Sequence, residues 1–143
     1  MKRQPIADPT VEGQLAATLS ERGPLIGIAP ETLENFVRLG ALLELAAGEA
    51  LCSEGEVANE FYLLLEGVLT VQSKGATLAR VEGEGSVVGE AAALQSQKRT
   101  ADVVAEGPVR AIAIAASVLR RPEFADVAAG IRSASLRDDW VKY

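Results

Sequence analysis

Beyond Gly40 the sequence becomes a series of short apolar runs separated by turns of one kind. This rhythm constrains the fold more than any other feature. The runs cover residues 41–45, 50–52, 60–65, 68–72, 77–81, 86–88, 101–105 and 109–114. Between them stand Gly48-Glu49, Glu54-Gly55-Glu56, Glu66-Gly67, Glu82-Gly83-Glu84-Gly85 and Glu106-Gly107-Pro108. Short apolar runs bounded by Gly and acidic residues specify strands and tight turns. The expectation is a mainly β fold with flanking helices: an antiparallel jelly-roll β-barrel over about 41–115. Glu54, Glu56, Glu82 and Glu84 are expected to be solvated hairpin tips rather than paired carboxylates for acid–base work or Ca²⁺. Leu63, Leu65, Leu69 and Val71 are expected in the core, with Cys52 as a small buried hydrophobe.

One segment interrupts the strands. Residues 90–94 carry three consecutive Ala and read as a single helical turn, followed by a polar loop at 95–98. The flanks are helical in pattern. Pro5, Asp8 and Pro9 make residues 1–10 a loose arm. A helix runs from Thr10 or Val11 to Arg22 and stops at Gly23-Pro24; a second starts at Pro30 and ends before Gly40. Short helices follow residue 117, one capped by Ser117 and one starting at Pro122-Glu123. This divides the chain into an arm and helix at 1–23 and a domain at 24–143, with C-terminal helices at about 117–140.

Composition removes whole classes of chemistry. The 143 residues include no His and one Cys, so a zinc site, a Ser-His-Asp triad and an internal disulfide are all excluded or without ligands. No nucleophile has a base to activate it, so no enzyme is expected. A net charge of −6 without a basic cluster argues against nucleic-acid partners. No apolar run is long enough to span a bilayer, and the first residues lack the apolar core of a signal peptide, so no membrane contact and a cytoplasmic location are expected.

The stretch 87–104, VVGEAAALQSQKRTADVV, concentrates the remaining chemistry. A helical turn directs free N–H groups outward at its start and favours an anion there. Gly89 allows close approach to the backbone. Glu90 adds a carboxylate, Arg99 a planar cation suited to phosphate, and Thr100 a hydroxyl. One anion-binding turn, one Arg and one carboxylate suit a ligand with a single phosphate and a free hydroxyl, as in a cyclic nucleotide.

Gly89-Glu90-Ala91-Ala92-Ala93-Leu94, then Arg99-Thr100-Ala101, resembles the phosphate-binding cassette of cyclic nucleotide-binding domains. The Glu-to-Arg spacing is similar to that of the kinase and channel members. Ile28-Ala29-Pro30-Glu31-Thr32-Leu33, Gly48-Glu49, Glu54-Gly55-Glu56 and Phe61-Tyr62-Leu63-Leu64-Leu65-Glu66-Gly67 extend the resemblance over about 24–130. The resemblance implies that Glu90 accepts from the ribose 2′-hydroxyl beside the Gly89 backbone, and that Arg99 pairs with the cyclic phosphate. It implies that the Ala92 and Thr100 N–H groups complete the cradle, with Ala91 and Ala101 as neighbours, and that Thr100 can reach a syn purine. Val88 stands where an aromatic is usual and Lys98 where Pro is frequent. A C-terminal lid over the base is implied, with Ile131, Leu136 and Trp140 as candidates.

The expected function is a sensor for cAMP or cGMP, with no cofactor and no metal. Its C-terminal helices would repack on binding and be read by a protein effector or a fused effector domain; a homo-oligomer is compatible with this. Only 23 residues follow Arg120, too few for a helix-turn-helix domain as well as a lid, so a free-standing module or an excised domain is expected. The competing reading is a fold that has lost its ligand and serves as a structural or protein-interaction module.

Overall fold

The computed structural model describes residues 1–136 and the backbone at 141–142. The strand order is β1 (Lys2–Pro5), β2 (Ala41–Leu45), β3 (Ala50–Cys52), β4 (Glu60–Glu66), β5 (Leu69–Ser73), β6 (Ala76–Val81), β7 (Val87–Val88), β8 (Asp102–Ala105), β9 (Val109–Ala115) and β10 (Val141–Lys142). The helices are α1 (Pro9–Glu21), α2 (Pro30–Arg38), α3 (Glu90–Leu94) and α4 (Ala125–Leu136), with 3₁₀ turns at Ala116–Arg120 and Pro122–Phe124.

The strands form a six-stranded sheet, β1-β2-β9-β4-β7-β10, and a four-stranded sheet, β3-β8-β5-β6. Pairing is antiparallel except for β10 on β7. The expected jelly roll is present, but its sheets face each other without closing into a barrel.

The sequence of β4 explains the layering. Phe61, Leu63 and Leu65 face the helices, whereas Tyr62 and Leu64 face the second sheet. A strand buried on both faces needs apolar residues at every position, which is why FYLLL does not alternate. On the helix side, Phe36 of α2 stacks on Phe61 at 6.5 Å and meets Phe124 edge-on at 5.4 Å. Between the sheets, Leu43, Leu64, Leu69, Val71, Val103 and Val109 are fully enclosed.

Three local expectations change. The first residues are not a loose arm: Lys2–Pro5 pairs with β2, Arg3 opposite Leu43. The open edge of β2 offers a ladder, and Pro5 is tolerated because an edge strand need not donate from every N–H. Asp8 helps start α1 rather than blocking it, accepting from the Thr10 N–H at 2.8 Å. Ser117 lies inside the first 3₁₀ turn and does not cap it. β10 has no signal in the sequence. Among the described residues, no helix is long and apolar enough to cross a membrane.

Candidate functional site

The chain leaves β7 at Gly89 with φ +78°, a left-handed conformation that suits glycine, and enters α3 at once. The Gly89 carbonyl accepts from the Ala93 N–H at 3.2 Å and from Arg99 Nη1 at 2.9 Å. Arg99 therefore reaches back ten residues to the first turn of α3. Its Nη2 donates to the Glu60 carbonyl at 2.5 Å, and its guanidinium lies 5.4 Å from the centroid of the Tyr62 ring.

The loop between α3 and β8 is held closely. Gln97 N donates to the Ala92 carbonyl at 2.9 Å and Ala58 N to the Gln97 carbonyl at 2.9 Å. Arg99 N donates to the Glu56 carbonyl at 2.7 Å, and Gly55 N to the Arg99 carbonyl at 2.9 Å. These backbone bonds fix the direction in which the Arg99 side chain leaves.

Arg99 is only 6% exposed and forms no ion pair among the described residues. Its partners are neutral carbonyls and an aromatic face. Its charge is oriented but not neutralised, a costly state for a buried ion and one that favours an incoming anion.

Glu90 faces a different direction. It is buried and borders a cleft of about 290 Å³ shared with Leu94, Leu119, Arg120, Ala128 and Arg132. Burial raises its pKa above the ordinary carboxylate range, and Arg132 on α4 partly offsets this. Arg120 Nη2 donates to the Leu94 carbonyl at 2.7 Å. The cassette helix is thus tied by arginines at both ends, Arg99 at Gly89 and Arg120 at Leu94.

Of the seven residues singled out from sequence, six lie on the turn and strand entry around Arg99, whereas the Glu90 side chain borders the cleft against α4. Gly89, Glu90, Ala91 and Ala92 make the turn, Arg99 is bonded back to it, and Thr100 and Ala101 lead into β8. Ala91 and Thr100 are exposed, Ala92 is half-buried, and Ala101 belongs to the core between the sheets. Ile131 is buried in the helix-side core, whereas the Leu136 side chain and Trp140 lie outside the described residues.

Sequence reasoning missed the seat of Arg99, formed by the Glu60 carbonyl and the Tyr62 ring. Burial pushes the Cys52 thiol up to about 11, with the Arg99 charge pulling the other way. Burial and the Glu60 carboxylate likewise raise Tyr62. No spacing rule joins β4 to a loop nearly 40 residues later.

A model of the cyclic nucleotide-binding domain matches residues 42–121. The chain belongs to the cyclic nucleotide-binding domain family. A cyclic nucleotide-binding-like protein from Brucella abortus bv. 1 str. 9-941 shares 30% identity, with a TM-score of 0.60 over 76% of this chain and 96% of that one. A cyclic nucleotide-binding domain from Methylobacillus flagellatus KT, 20% identical, shares the fold with a TM-score of 0.73 over 91% of this chain and 80% of that one. The cGMP-dependent protein kinase egl-4 of Caenorhabditis briggsae is 35% identical over 78 residues, 54% of this chain and 10% of the kinase. This domain therefore spans about a tenth of that relative.

Proposed function

We propose that this domain binds cAMP or cGMP at the cassette and acts as a regulatory sensor. The observation that carries the reading is the buried, oriented and un-neutralised guanidinium of Arg99 beside the first turn of α3. A cyclic phosphate would complete its coordination with charge-assisted hydrogen bonds. The N–H groups at the start of α3, including that of Ala92, have no intrahelical acceptor and would add to the phosphate cradle with that of Thr100. Glu90, which borders the cleft against α4 in this structure, would on binding turn its ionised carboxylate to accept from the ribose 2′-hydroxyl, with Gly89 leaving room for the sugar. Ala91 and Ala101 flank these contacts. No cofactor takes part, and the role is binding rather than catalysis.

The route from ligand to output runs through α3. Arg120 and the cleft at Glu90 connect α3 to the C-terminal segment. Movement of the cassette toward a phosphate would change those contacts and shift the packing of α4, the change a protein effector or fused domain would read. The test is calorimetric titration with cAMP and, separately, cGMP. Saturable one-to-one binding that disappears in Arg99→Ala supports the reading, and the ratio of the two affinities names the signal. No heat and no shift in melting temperature with either nucleotide overturns it.

A further inference from the structure

The seat of Arg99 is itself braced from an unexpected direction. Glu60 opens β4 and supplies the carbonyl that holds Arg99 Nη2. The same residue's carboxylate is clamped by Arg3 of β1 through two parallel bonds, Nη1 to Oε1 at 3.0 Å and Nη2 to Oε2 at 2.9 Å. The Tyr62 hydroxyl donates to Glu60 Oε1 at 3.3 Å, and the Tyr62 ring carries the Arg99 guanidinium.

The Arg3–Glu60 pair is not a contact between neighbouring strands. β2 and β9 lie between β1 and β4. At about 4.8 Å per strand the side chains cross roughly 14 Å of sheet. They can do so because the intervening strands present only alanines on the floor of the cleft beneath them: Ala41 and Ala113, paired in register, and Ala115, opposite Glu60. A bidentate fork fixes direction as well as distance, so the clamp orients the end of β4 and not only its charge.

Building on the cyclic nucleotide reading, we propose that Arg3 is a positioning residue for the phosphate-binding arginine: by clamping Glu60 it holds the carbonyl and the tyrosine ring on which Arg99 is seated. β1 is exposed along its whole length and held by one neighbour, so it is an element of low local stability. Its docking and the geometry of the ligand's main cation are then coupled.

The experiment follows the guanidinium protons of Arg99 by ¹⁵N side-chain NMR in the ligand-free chain, assigned by their loss in Arg99→Lys. In Arg3→Ala these protons should exchange with water severalfold faster, with partial restoration in Arg3→Lys. Should Arg3→Ala lose its dispersed backbone spectrum, Arg3→Lys and Glu60→Gln carry the comparison. Nucleotide affinity should fall about two- to fivefold in Arg3→Ala, the range of a partly exposed ion pair, and that loss should vanish in an Arg99→Lys background. An Arg99 signal unchanged by the substitutions, or an affinity loss equally large without Arg99, overturns the proposal. Failure of the wild type to bind either nucleotide would sink the ligand reading alone, because the ligand-free spectrum still decides whether Arg3 positions Arg99.

Discussion

Two of the buried charges in the molecule, Glu12 and Arg99, are treated in opposite ways. At the corner between α1 and α2, Glu12 is 3% exposed and receives Arg38 Nε and Nη2, each at 3.0 Å. That carboxylate is neutralised within the fold, and its bonds latch one helix to the next. Between the first turn of α3 and the start of β4, Arg99 is nearly as buried but meets only carbonyls and a ring. A closed ion pair has no use for a ligand, whereas an oriented charge without a counter-ion is pre-organised to receive one. Burial of charge alone therefore does not mark a site; the identity of the partners does.

The sharpest way to break the comparison is Arg99→Ala. It should cost about 2–5 kcal/mol of nucleotide binding by removing the buried partner of the phosphate, while the chain stays folded. A matched loss in melting temperature without loss of affinity would make Arg99 structural, like Glu12. Glu90→Ala should cost about 1–3 kcal/mol of binding, the scale of a hydrogen bond to a charged group.

The raised pKa of Glu90 adds a pH signature. Because the folded state holds this proton more tightly than the unfolded chain, its contribution to stability is present below the ordinary carboxylate pKa and is lost as pH rises through the raised value. Ligand binding runs the other way, since the ionised carboxylate is the better acceptor. Affinity should fall as pH drops through that raised pKa, and Glu90→Gln should flatten the profile in calorimetric titrations.

Glu12→Gln should do the reverse of Arg99→Ala. It should lower stability by about 1 kcal/mol and leave nucleotide affinity unchanged, as chemical denaturation and titration would report. The smallest effect concerns Cys52, which is buried with its thiol pushed up to about 11. At neutral pH it should react with iodoacetamide far more slowly in the folded chain than in denaturant. Rapid labelling of the folded chain would mean that the core between the sheets opens at Cys52.

Much of this was legible in local sequence. Gly-acid turns marked the hairpins, and the apolar runs located the strands because alternation and turn chemistry act over a few residues. Residues 90–94 were readable as one helical turn because a strand, a Gly and three Ala allow little else. Thr100 and Ala101 followed from their places beside Arg99. β1 was not legible, since Lys2–Pro5 has no apolar pattern and is a strand only because the edge of β2 accepts it. β10 was equally silent, being defined by the ladder of β7.

By itself, then, the sequence determined the strand-and-turn series, the cassette turn from Gly89 and the presence of Glu90 and Arg99 nine residues apart, all consequences of short-range backbone and side-chain preference. The tertiary structure alone decided that two open sheets form instead of a closed barrel, and that Arg99 is held by Gly89 and Glu60 on the face of Tyr62. It also decided that Glu90 turns toward α4 and that Arg3 reaches across two strands to brace the seat. Those outcomes depend on which strands lie side by side and which positions carry alanine small enough to be crossed. That information resides in packing between segments distant in the chain, where no local pattern records it.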